Sequence, residues 1–164
     1  MLTIDTIKKR ISCRTYQVGP MKESDQQKLR DFLLANVRGP FGNRVRFELV
    51  DLAAQERDEI KTLGTYGFIK GAGMFIVGAV AKDPRAMKDY GYCMEKNILA
   101  ATHLGLGTCW LGVHPREQRI AALRKILALP ESILPVACIA LGRAAEQKEP
   151  RTRYNAAFVH WETW

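Results

Sequence analysis

Two short basic segments lie near opposite ends of the chain. Arg10-Ile11-Ser12-Cys13-Arg14 holds a hydroxyl between two guanidinium groups, and Arg151-Thr152-Arg153 carries two arginines that an extended backbone turns to one side. Guanidinium forks take phosphate oxygens in pairs and a serine hydroxyl adds a donor, so these residue types at this spacing suit a phosphorylated ligand. Taken singly, each arginine is more simply a solvated surface charge, and spacing does not decide whether the two ends meet. A third feature is His103-Leu104-Gly105-Leu106-Gly107-Thr108-Cys109-Trp110-Leu111-Gly112. Its glycines let a flat ligand approach the backbone, and they serve equally well as a helix cap before a core strand.

Other routes to catalysis are missing from the sequence. It has no HExxH, GxSxG, Walker loop or aspartate-rich calcium loop. His103, His114 and His160 share no ligand spacing, so no metal site is expected. Cys13, Cys93, Cys109 and Cys138 form no CxxC pair and read as reduced, buried thiols. Nothing near Cys109 in sequence lowers its pKa, and it is assigned no role. Chemistry done by such a chain comes from something it binds.

The elements that must position these residues alternate between helical and strand character, the mark of an α+β or α/β domain. Thr3 or Asp5 caps a short helix ending near Arg10. Ser24 with Gln27 makes a capping box, and Leu29, Phe32, Leu33 and Val37 follow at helical spacing. The loop Arg38–Asn43 leads into a strand from Val45 to Leu52, with Val45, Phe47 and Leu49 inward and Arg46, Glu48 and Val50 outward. Ala54–Leu63 reads as a polar helix, and 73–81 as a central strand. Pro84 opens the longest helix, which buries Met87, Tyr90, Met94, Ile98, Ala101 and Leu104. A strand over 108–111, a helix over 115–129 and an apolar strand over 134–141 follow. The tail returns to Phe158, Val159, Trp161 and Trp164, an apolar run that points to a partner subunit.

The 164 residues, 47% hydrophobic and 26% charged, fit one folded domain over 1–164. The net charge of +8 suits an anionic partner. Nucleic acid is disfavoured because the positive residues are scattered and not interleaved with aromatics. The apolar run Met74–Ala81 is far short of the ~20 residues that span a bilayer, and the N-terminus does not read as a signal peptide. A cytoplasmic protein without membrane contact is expected.

Arg10-x-Ser12-x-Arg14-x-Tyr16 resembles the N-terminal motif of the flavin-dependent nitroreductase family. Asn97–Gly112 is similar to that family's central helix and following strand. His114-Pro115-Arg116-Glu117, Leu129-Pro130-Glu131, Ala140-Leu141-Gly142 and Lys148-Glu149-Pro150-Arg151-x-Arg153-Tyr154 continue the pattern to Val159-His160 and Trp164. In the middle the loop Gly39–Val45 and the stretch Tyr66–Ala72 look more like a smaller subgroup of short members, with the segment over the flavin cut to Ala54–Gly64.

The resemblance implies an α+β sandwich with a central, mostly antiparallel sheet, working as an intertwined homodimer with FMN at each interface. By position, Arg10, Ile11, Ser12 and Arg14 would run along the FMN from phosphate to ring edge, and Arg151 and Arg153 would complete the phosphate grip. Asn43 would face the pyrimidine edge, while Trp110, Leu111 and Gly112 would bring backbone to the ring. Arg14 would tune the flavin electrostatically. The implied activity is ping-pong hydride transfer from NADH or NADPH through FMN to a quinone, nitroaromatic or similar small acceptor, with no catalytic side chain required. The alternatives are an FMN storage or sensing protein without fast turnover, and a flavin-fragmenting or dehalogenating relative of the same fold.

Overall fold

The computed structural model describes residues 3–51, 68–111, 120–121, 123–125, 128–149 and 157. Its elements are α1 (Ile4–Lys9), α2 (Glu23–Ala35), β1 (Val45–Asp51), β2 (Met74–Ala81), α3 (Ala86–His103), β3 (Gly107–Leu111) and β4 (Ile133–Gly142). The four strands form one sheet in the order β1-β2-β4-β3, antiparallel at every pairing. The apolar runs expected to be central strands are β2 and β4, which lie side by side in the middle. The helices expected at Ala54–Leu63 and over 115–129 fall wholly or mostly outside the described residues.

Both faces of the sheet are covered. Val45, Phe47, Leu49, Ile76, Ile139 and Leu141 meet Leu29 and Leu33 of α2 and Tyr90, Met94 and Ile98 of α3 in one core. Val50, Phe75, Val77, Cys138, Ala140 and Leu111 meet Cys13, Tyr16 and Leu123 in the other. Val50 therefore points inward, against expectation, because the second face of β1 is closed near its end as well as the first. None of the four cysteines forms a disulfide.

Three further expectations are corrected. No capping box forms at Ser24: α2 starts with Lys22 as its cap residue, and the Gln26 amide reaches back to the Met21 carbonyl at 3.0 Å. The buried Met21 holds the chain there and starts the helix two residues early. Pro84 stands ahead of α3, in a turn where the Asp83 carboxylate accepts the Arg85 N–H at 2.9 Å. Met87 is 51% exposed, and Ala86 takes the buried position on that helix. At the other end, the Gly105 N–H meets the Thr102 carbonyl at 3.0 Å with φ +76°, a left-handed close that glycine makes without strain.

The register shifts between Val77 and Ala79 of β2, which pair with Cys138 and Pro135 of β4. Gly78 sits in that irregularity beneath the tilted Phe47–Tyr90 ring pair, centroids 5.6 Å apart. A Cβ on Gly78 would stand 2.6 Å from Tyr90 Cε2 and 2.7 Å from Phe47 Cδ1, whereas one on Gly91 of α3 would meet nothing within 4 Å. Among the described residues no helix is long and apolar enough to cross a membrane.

Urea unfolding should therefore separate two glycine-to-alanine changes. Gly78→Ala should lose about 1–3 kcal/mol from overpacking two rings. Gly91→Ala should gain about 0.5–1 kcal/mol from helix propensity.

Candidate functional site

The segment after α1 lies along the free edge of β3. Ser12 bridges Thr108 in parallel pairing, and the Cys13 N–H donates to the Thr108 carbonyl at 2.8 Å. The same segment is held from its other side: the Lys70 N–H meets the Arg14 carbonyl, and the Tyr16 N–H meets the Lys70 carbonyl, both at 2.9 Å. The Tyr16 hydroxyl lies 2.6 Å from the Cys13 carbonyl and 3.1 Å from that of Ala140, tying the segment to β4. The tyrosine of the Arg10-x-Ser12-x-Arg14-x-Tyr16 pattern is thus its buried anchor, and burial pushes its phenol pKa up.

Gly107 gives way to this segment. A Cβ there would stand 2.8 Å from both Cβ and Sγ of Cys13. Gly105 closes α3, and Gly107 makes room for chain packing. For these two glycines the structure supports the cap-and-core reading.

Glu146 clamps the segment. Its Oε1 accepts the N–H groups of Arg14 and Thr15 and pairs with Lys148 Nζ at 2.8 Å. The Arg14 N–H and then Lys148 hold the Glu146 carboxyl down at about 2, against a smaller opposing effect of burial. A cavity of about 270 Å³ opens beside the segment, lined by Ile11, Cys13, Glu146 and Lys148 among others.

Arg10 caps α1 and is almost enclosed, its side chain 12% exposed. Its Nε stands 3.7 Å from Glu95 Oε1, is buried, and has no hydrogen-bond partner. Trp110 Nε1 donates to the other oxygen of the same carboxylate at 3.1 Å. One acidic side chain of α3 thus links Arg10 to β3. The Thr108 hydroxyl, next to Ser12, is also buried without a partner. A buried guanidinium N–H and hydroxyl with unspent donors are what a phosphate oxygen needs, so the residues present fit the phosphate end of FMN.

The remaining expected residues sit as follows. Arg14 is exposed at the side chain and fixed through its backbone. Leu111 is the buried last residue of β3, opposite Cys138. Asn43 lies in the loop before β1 and donates its backbone N–H to Asp89 Oδ2 at 2.8 Å. Gly112, Arg151 and Arg153 lie outside the described residues, as does the apolar tail from Phe158. Burial raises the Cys13 and Cys109 thiols, and for Cys109 the nearby Arg14 and Arg10 do not reverse it, in keeping with a thiol given no role. Among the described residues no cluster of three His, Cys, Asp or Glu could hold a metal.

Three carboxylates went unnoticed in the sequence. Asp89 had a signal: it stands three residues after Ala86 and four before Cys93, on the buried stripe of α3. Glu95 and Glu146 had none, since each acts on a partner distant in sequence.

A family model described as "Putative TM nitroreductase" matches residues 3–162. A "Putative NADH dehydrogenase/NAD(P)H nitroreductase" of Archaeoglobus fulgidus is 33% identical, with 94% of each chain covered. A protein of the same description from Methanothermobacter thermautotrophicus is 31% identical over 100% of this chain and 88% of its own. Among solved structures, a "Putative NADH dehydrogenase/NAD(P)H nitroreductase" of Parabacteroides distasonis superimposes with TM-score 0.79 at 25% identity, covering 98% of both chains. An FMN-dependent nitroreductase of Clostridium difficile, 22% identical over 99% of this chain and 100% of its own, has TM-score 0.76 and shares the fold.

The sign of the Glu146 effect sets a pH test. A carboxyl held below its ordinary value contributes stability above about pH 4.3 and loses it as pH falls toward 2. Unfolding measured across that window should be steeper with pH for the native protein than for Glu146→Gln. Parallel profiles would mean that the clamp does not act through the ionised carboxylate.

Proposed function

The chain belongs to the nitroreductase family matched over residues 3–162, and from that premise we propose that it is an FMN-dependent NAD(P)H oxidoreductase acting on a small conjugated acceptor. The reading is carried by the segment Arg10–Arg14, docked on β3 with the Arg10 Nε and Thr108 hydroxyl both buried and unspent. FMN, when bound, supplies the two-electron chemistry: hydride acceptance from NADH or NADPH and reduction of a quinone, nitroaromatic or similar molecule.

The protein's own residues bind and orient. Arg10 and Ser12 hold the phosphate and ribityl end, Ile11 contributes backbone, and Arg151 and Arg153 complete the grip. Arg14 places a fixed positive charge at the ring edge, where it favours the reduced, more negative ligand. Trp110, Leu111 and Gly112 bring backbone alongside the ring, and Asn43 meets its pyrimidine edge. No side chain is asked to act as acid or base. The raised thiols of Cys13 and Cys109 leave no poised nucleophile in the segment or strand.

The whole chain works as one FMN-binding domain in the cytoplasm, paired with a second copy. Ile4 and Ile7 on α1 support the pairing: they are 71% and 59% exposed and need a cover. Neither a metal nor a nucleic-acid partner is part of this reading.

The purified protein should carry a yellow flavin, and anaerobic NADH or NADPH should bleach it. Flavin that binds but stays oxidised would mark a storage protein; a chain that takes up no FMN would remove the reading. Arg10→Ala should weaken FMN binding by about 10–100-fold, as expected for losing a charged hydrogen bond, while riboflavin binding changes little. Titration with both flavins checks this.

A further inference from the structure

Asp89 takes no part in the phosphate grip, yet it is 0% exposed. A charge so enclosed is tolerated only when its oxygens are satisfied. Here the loop before β1 satisfies them: the Phe41 N–H donates to Oδ1 and the Asn43 N–H to Oδ2, each at 2.8 Å. Burial by itself would raise the Asp89 carboxyl, and these N–H groups outweigh it and hold the carboxyl below the usual range.

The loop is shaped around that carboxylate. The Gly39 backbone passes so close that a Cβ would stand 2.2 Å from Asp89 Oδ1. Its turns are closed by Gly42 N–H to Gly39 carbonyl at 3.0 Å and by the Arg38 guanidinium on the Gly42 carbonyl at 2.8 Å. Arg85 and Lys88, both shortly before Asp89 in sequence, lie over the Phe41 ring at 5.7 and 5.6 Å. Through these two N–H groups Asp89 fixes the backbone that carries the Asn43 side chain.

Resting on the FMN reading above, we propose that Asp89 is a positioning residue for the flavin ring: it fixes the Gly39–Asn43 loop and so holds the Asn43 side chain at the pyrimidine edge. The contact involves the ring and not the phosphate, so it weighs equally in FMN and riboflavin.

The test is a double-mutant cycle on the full-length protein, reading FMN and riboflavin dissociation constants by flavin fluorescence quenching. Asp89→Asn and Asn43→Ala should each weaken both ligands by about five- to tenfold, the size of one hydrogen bond. The double variant should be no weaker than Asn43→Ala alone. Gly39→Ala pushes on the same carboxylate from the loop side and should behave like Asp89→Asn, so the cycle stands even where Asp89→Asn folds poorly. Losses that multiply in the double variants, or an affinity unchanged by disturbing Asp89, would overturn the proposal and leave FMN binding intact. A native protein that binds neither flavin would instead overturn the FMN reading and take this proposal with it.

Discussion

A sheet that ends at β3 leaves a row of backbone donors and acceptors facing outward, and the residues following α1 meet that edge at Thr108. That pairing does two things at once. It covers an edge that would otherwise invite another chain, and it stretches Arg10, Ser12 and Arg14 along β3 beside Thr108 and Trp110. Gly107 permits the close approach, Tyr16 pins the far end to β4, and Glu146 clamps the middle. Remove the edge pairing and the arginines become ordinary surface charge.

Acidic residues organise this basic chain. With a net charge of +8, the protein has positive groups to spare for an anion. What it must supply is placement, and Glu95, Glu146 and Asp89 provide it. Glu95 joins Arg10 to Trp110 across one carboxylate, and Glu146 holds the backbone of Arg14. Asp89 gathers the loop that carries Asn43. Each ties together residues remote in sequence and is met by N–H groups or a cation; for the fully buried Asp89 those N–H groups are how a low-dielectric setting tolerates the charge.

Much of the fold was legible because periodicity reports burial. The two wholly apolar runs became the central strands β2 and β4, and the stripe Tyr90, Met94, Ile98 and Ala101 faces the sheet from α3. Boundaries were less legible. Which glutamine reached back to start α2 depended on Met21 being held in the core, and the inward turn of Val50 depended on a second layer beneath β1. The glycines between α3 and β3 were ambiguous for a similar reason. A residue without a side chain states that something comes close, and only the fold identifies Cys13 as what does.

The order of residues along the chain determined by itself the α+β class, the central strands, the long amphipathic helix and the family to which the Arg10-x-Ser12-x-Arg14-x-Tyr16 pattern belongs, because these depend on local spacing and residue chemistry. Tertiary structure alone decided that Glu146 grips Arg14, that Glu95 spans Arg10 and Trp110, and that Asp89 sits inside a loop some fifty residues earlier in the chain. Such contacts join distant segments through single hydrogen bonds. No period in the sequence encodes them, and they exist only once the strands have paired and brought their ends together.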